Sequence, residues 1–286
     1  MAEQKNLTIR QWIDTVKPVA TWILIVAILV QCAWSSFAHF VLFPTGILQS
    51  LYYHTGSILH PTFTGYVLLS ICTGFLLCYI GGLRAKDFAI FHKQILPAVG
   101  FTLLAWAIIQ LSPLLNGHSL EILTAWNEDG YSARKFSRFF VGQLFGNALY
   151  EELFYRGFLI SQFTLLFRKK FSMTKAVIFA VIFSQIIFAV IHIPHRIVNE
   201  IPLVESIVRT FFNGIIFASL FLLTKNIFAV TGLHALWNAS PNLFEHSVNK
   251  FGTTGLLIIL LSILLCKCIY RKCKHKDKVD QSKSFT

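Results

Sequence analysis

The sequence predicts an all-α, polytopic membrane protein of about eight transmembrane helices, and three observations predict it. Of the 286 residues 55% are apolar and only 13% charged, with 28 Phe and a mean hydropathy of +0.63, whereas about a quarter of a soluble domain is charged. So little polar surface cannot cover a water-soluble globule of this size, and the apolar excess is expected to face lipid. The apolar residues also come in runs of about 20, enough for a helix to cross a hydrocarbon core about 30 Å thick. Finally, Lys and Arg are dense in alternate connections, as the positive-inside rule requires.

In chain order, residues 1–18 read as a cytosolic segment. The runs Val19 to Phe43, Thr64 to Leu83 and Ile95 to Leu115 contain almost nothing ionisable and read as scaffold spans. The first is too long for a signal peptide, and no small-residue cleavage pattern closes it, so it is expected to be retained. Asn116 to Arg138, with Glu121, Glu128 and Asp129, reads as an exposed polar loop. Beyond it lie Phe139 to Phe167, Ala176 to Ile193, Ile207 to Leu223, Ile227 to Leu243 and Thr253 to Tyr270, then a basic tail over 271–286. No internal repeat or low-complexity linker interrupts the membrane domain expected over 19–270.

The net charge of +12 raises the question of nucleic acid, but the distribution of Lys and Arg follows the membrane instead. With both termini cytosolic, the inner segments hold Lys5, Arg10 and Lys17; Arg84, Lys86 and Lys93; Arg168, Lys169, Lys170 and Lys175; Lys225; and the tail from Lys267 to Lys283. The outer loops hold only Arg134, Lys135, Arg138, Arg196, Arg209 and Lys250. A soluble nucleic-acid binder shows no such alternation, and the richness in Ile, Phe and Lys suggests a bacterial cell membrane. The tail bases read as a topology anchor near anionic lipid. Cys32, Cys72, Cys78, Cys266, Cys268 and Cys273 lack metal-like pairing and read as packing thiols in a reducing compartment.

Chemistry is expected in the second half. Only 13 residues are acidic, yet Glu151 and Glu152 stand side by side in an apolar run, where a charge at mid-membrane costs about 3 kcal/mol. Glu152 and Arg156, four apart, share a face as an ion pair that offsets burial; Glu151 points about 100° away and is left as a free carboxylate. In the next span Phe188 lies one turn before His192 on the same face, and His195 falls beyond Pro194, where the helix should end. His234 and Asn238 share a face of the seventh run, each able to donate a hydrogen bond. Alone, each of these groups also suits a structural role in helix packing. Depth offers a check: Glu151 and His192 both lie roughly 25 Å from the inner cluster of Arg168 to Lys175, but His234 is only about 14 Å past Lys225. A tilt, a break or a buried start at Lys225 is needed to bring it level.

Taken together, Glu151, Glu152 and Arg156 (EExxxR), Phe188 and His192 (FxxxH), and His234 and Asn238 (HxxxN) resemble the family that groups CAAX proteases with bacteriocin-processing enzymes, the Abi or type II CAAX prenyl endopeptidases. Their order and spacing, on three separate apolar helices, carry the resemblance, which spans Glu151 to Asn238. It implies a family core over about 139–244 and cleavage of a peptide bond near a lipidated or hydrophobic C-terminus. It makes Glu151 the catalytic base, His192 its partner in holding the attacking water, and His234 with Asn238 the stabilisers of the tetrahedral intermediate. Glu152, Arg156 and Phe188 are supporting residues.

Two mechanisms fit these residues. Without metal, Glu151 and His192 activate water while His234 and Asn238 donate to the developing oxyanion. With Zn2+, His192, His234 and Glu151 form a His₂Glu site with an open position for water; that leaves no evident general base, so no cofactor is favoured. The expected partners are membrane lipid and a hydrophobic, lipidated or peptide substrate. Two rivals are a non-catalytic bacteriocin immunity or regulatory protein, and a transporter, whose intramembrane acids and His would serve a proton relay.

Overall fold

The structure, a computed structural model, describes residues 8–56, 58–122, 140–247 and 255–265. The chain forms two compact units, Met1–Lys250 and Phe251–Thr286. Among the described residues there is no strand, only an isolated bridge between Ile122 and Phe244. Glu128, Asp129, the basic tail, Cys266, Cys268 and Cys273 lie outside the described residues. Cys32, Cys72 and Cys78 are free thiols.

The N-terminal segment is more than a cytosolic lead. Helix α1, Ile9–Thr15, opens on a capping box in which Thr8 and Gln11 exchange side-chain bonds of 3.2 and 2.7 Å, satisfying donors that a helix start leaves open. It buries Trp12 and Ile13, and Trp12 Nε1 donates to the carbonyl of Lys86 at 3.2 Å. Helix α2, Thr21–Leu42, is the first span. A short helix that the sequence did not announce, α3, Ile47–His54, follows Gly46, whose φ of 72° suits glycine. Helix α4, Pro61–Ile80, starts with Pro in its first turn, where the missing N–H costs nothing. Helix α5 is His92–Leu114.

Helix α6 runs over 143–167, α7 is Met173–Val190, α8 Ile193–Val198, α9 Leu203–Thr224 and α10 Ile227–Ala239. In the second unit α11 is Gly255–Leu265. Among the described residues five segments are long and apolar enough to cross a membrane: α2, α4, α5, α7 with α8, and α9. Helix α6, at 1.5 Å per residue, is also long enough, although its acids and Arg156 depress its hydropathy. The chain is therefore the all-α, multi-pass membrane protein expected, with about eight spans. One element differs in extent: the apolar run Ile227 to Leu243 yields a helix of only 13 residues, about 20 Å long. Ser240 leaves the helix for extended backbone just before Pro241, which disfavours helical backbone in the residue preceding it.

Burial explains the arrangement. Nearly every residue of α6 from Glu152 to Leu165 is buried, and Tyr155, Phe158, Leu159 and Ile160 form the core with Leu69, Ala180 and Ala218. A helix buried all round belongs at the centre of a bundle. The surrounding helices turn Ile25, Leu29, Ile71, Leu96 and Phe212 outward, an apolar exterior suited to lipid.

Candidate active site

In α6, Glu151 lies between two π-helical stretches, Gln143–Ala148 and Glu152–Leu159, and Glu152 opens the second. Such i→i+5 turns are rare and often occur at functional sites. The pair expected between Glu152 and Arg156 is present, and Glu151 is not free, because both acids meet one imidazole.

Glu151 is 2% exposed. The Tyr66 hydroxyl of α4 donates to its Oε1 at 2.7 Å. The Asn147 amide nitrogen, oriented to donate, stands 3.0 and 3.1 Å from its two oxygens, an orientation assigned from the bonds it makes. Across from them, His234 on α10 places Nε2 3.7 Å from Glu151 Oε2 and Nδ1 2.7 Å from Glu152 Oε1. An ionised carboxylate only accepts, so Nδ1 carries the proton. The start of α10 is packed within the protein. Ile227, the first residue of α10, is fully buried, and Asn226 caps the helix by accepting from the N–H groups of Phe228 and Ala229.

Glu152 also faces Arg156, with NH1 3.1 Å from Oε1 and both side chains fully buried. This approach lacks hydrogen-bond alignment, and the guanidinium nitrogens have no hydrogen-bond acceptor among the described residues. Aromatic faces surround the cation instead, with the Phe188 centroid at 4.7 Å and that of Phe217 at 5.7 Å, a favourable desolvated geometry. Phe217 also stacks on His234 at 4.9 Å. Gly214 makes this closure possible: a Cβ there would collide with Gln185 and crowd Phe188.

His192 sits at the break between α7 and α8, as the residue that caps α8 ahead of Pro194. Its Nδ1 donates to the Phe188 carbonyl at 2.6 Å, and its ring meets Phe188 edge-on at 4.7 Å. Nε2 therefore retains its lone pair. His195 packs on His39, 5.2 Å between ring centroids.

Asn238 stands apart from the expected cluster. It is exposed, and its Nδ2 donates to Gln143 Oε1 at 3.2 Å. The reason is helix geometry: α10 runs antiparallel to α6, so one turn beyond His234 it meets α6 two turns before Glu151. Three further residues that bear on the site, Tyr66, Asn147 and Phe217, were not singled out in the sequence. Asn147 had a readable signal, standing four residues before Glu151 on the same helix. Tyr66 had none, being one aromatic in an apolar scaffold run.

Among the described residues no group of three or more His, Cys, Asp and Glu is arranged to hold a metal ion. Both oxygens of Glu151 already accept from neutral donors, and His234 Nδ1 is committed to Glu152. The Nδ1 bond leaves His234 Nε2, which with His192 Nε2 and Glu151 would be the set to hold a metal if one bound here.

No curated protein and no solved structure matches the chain. The model of a family described as type II CAAX prenyl endopeptidase, Rce1-like, matches residues 134–240, a stretch that takes in Glu151, His192, His234 and Asn238 but leaves out Tyr66. Over residues 134–240 the chain is accordingly similar to the Rce1-like type II CAAX prenyl endopeptidases.

Proposed function

We propose that the protein is a glutamate-dependent intramembrane endopeptidase that hydrolyses a peptide bond in a membrane-associated or lipidated substrate, in a cell membrane with both termini cytosolic. The observation that carries this reading is a buried Glu151, oriented by Tyr66 and Asn147, facing His234 Nε2 at 3.7 Å within a domain of a protease family.

In this reading a water donates one hydrogen bond to Glu151 and one to the lone pair of His192 Nε2. Glu151 takes its proton as the oxygen attacks the scissile carbonyl, and the proton passes to the leaving amine. The oxyanion is met by His234 Nε2–H. Because Nδ1 is bonded to Glu152, that donor exists only in the imidazolium, whose charge with Arg156 balances the two carboxylates. Asn238, at the exposed end of the same face, meets the substrate backbone as it approaches. Glu152 and Arg156 hold the His234 ring, and Phe188 walls both Arg156 and His192.

Glu151→Gln keeps the shape and removes the base. Purified Glu151→Gln in proteoliposomes should lose at least a hundredfold in cleavage of a prenylated C-terminal peptide, while its thermal unfolding stays near that of the parent. Undiminished cleavage would overturn the reading. Metal analysis checks the metal-free form of the mechanism: active protein should contain less than stoichiometric zinc, and one zinc per chain, lost together with activity, would reverse it.

A further inference from the structure

A cleft of about 430 Å³ lies on the far side of α10 from His234, walled by α5, the first half of α6 and α10 through Val99, Leu103, Phe145, Leu149, Phe228 and Leu236. Near each of its ends hydrogen bonds clamp α10 to α5. At one end Gln94 Nε2 donates to the Lys225 carbonyl at 2.9 Å and Asn226 Nδ2 to the Gln94 carbonyl at 3.0 Å. At the other, Trp106 Nε1 and Gln110 Nε2 donate to the Pro241 carbonyl at 2.7 and 3.1 Å. Between the clamps Gly232 lies so close to Thr102 that no Cβ fits. The flank is open: Val99 is 47% exposed, Leu103 56% and Phe145 57%.

The lining selects a hydrocarbon. Thr231 Oγ1 is bonded to the Ile227 carbonyl and the Trp106 N–H to Pro241, so these polar groups in the walls are already engaged. The length selects one leaflet. From Ile95 to Trp106 the wall rises about 16 Å, and half of a hydrocarbon core about 30 Å thick is about 15 Å. The charge selects the headgroup. Lys93, exposed, and Lys225, half-buried, flank the Gln94 clamp where the cleft begins. Among the described residues neither ammonium is paired with a carboxylate. Lys225 holds the left-handed conformation, φ 56°, that glycine or asparagine usually takes at a helix end.

We propose that the cleft binds an anionic phospholipid, with one acyl chain lying between α5 and α10 and the phosphate held by Lys93 and Lys225. The bound chain props the helix that carries His234. Full-length protein in micelles, titrated with phosphatidylglycerol brominated on its acyl chain, reads the site through Trp106, which lines it. The expected result is saturable fluorescence quenching that disappears in Trp106→Phe and needs at least tenfold more lipid in a Lys93→Gln, Lys225→Gln double variant. Brominated phosphatidylcholine should quench without saturation. Because Trp106→Phe also loses a helix clamp, the double variant, changed only at the cleft's mouth, tests the headgroup by itself. Equal, unsaturable quenching by both lipids in every variant overturns the proposal. Displacement of the brominated lipid by a prenylated peptide at substrate concentration also overturns it, by making the cleft a substrate-tail site.

Discussion

Tyr66 contributes to the site a single hydroxyl, and the energetics of that group are simple to state. A hydrogen bond to a charged, buried carboxylate contributes about 1.5–3 kcal/mol, and the Tyr66 bond to Glu151 is 2.7 Å long. Tyr66→Phe keeps the ring in place and removes only the donor. If Tyr66 orients the base for the attacking water, kcat should fall about ten- to hundredfold while KM stays within threefold. A fall in thermal stability with unchanged kcat would make the hydroxyl a packing group only. Glu152 differs from its neighbour in what it touches: Arg156 at 3.1 Å and His234 at 2.7 Å. A buried cation left without its acid is costly, so Glu152 belongs to the framework that aims His234.

Among the elements, α10 is the one whose form most affects the site. Thirteen residues cannot cross a bilayer unaided, and its ends are held by Gln94 and Asn226 at one side and Trp106 and Gln110 at the other. Asn226 does two jobs, capping α10 and bonding to the Gln94 carbonyl. Asn226→Ala should cost about 1–2 kcal/mol, read as a lower midpoint of thermal unfolding in detergent, with activity reduced alongside it because His234 rides on the loosened helix. An unchanged midpoint would mean that the tertiary contacts of α10, and not its cap, hold it.

For the whole molecule the question is orientation. The distribution of Lys and Arg predicts both termini in the cytosol, the orientation we propose. Single cysteines introduced into a Cys-free background at Glu3 and Ser284 should resist a membrane-impermeant maleimide in intact cells and react after lysis, whereas one at Glu128 should react in intact cells. Labelling of Glu3 and Ser284 in intact cells would invert the orientation; labelling of one alone would change the number of spans by one. The domain matched to the protease family covers 134–240, yet α4, outside it, provides Tyr66, and α2 adds Gln31, which bonds with Tyr150 and Tyr155 of α6. The first three spans are thus part of the site's construction and not a bare scaffold.

The all-α membrane class followed from composition together with apolar runs of about 20 residues, because an apolar excess suits lipid and runs of that length cross it as helices. The motif residues on α6, α7 and α10 were legible because ionisable groups in apolar runs are costly and few. The partnerships between them were not. That Glu151 and Glu152 clasp one imidazole depends on where α10 packs against α6; that Asn238 falls against Gln143 depends on the antiparallel register of α6 and α10; and that Tyr66 reaches Glu151 depends on a contact between residues 85 positions apart. Periodicity reports which face of a helix is apolar, but only packing decides what that face meets.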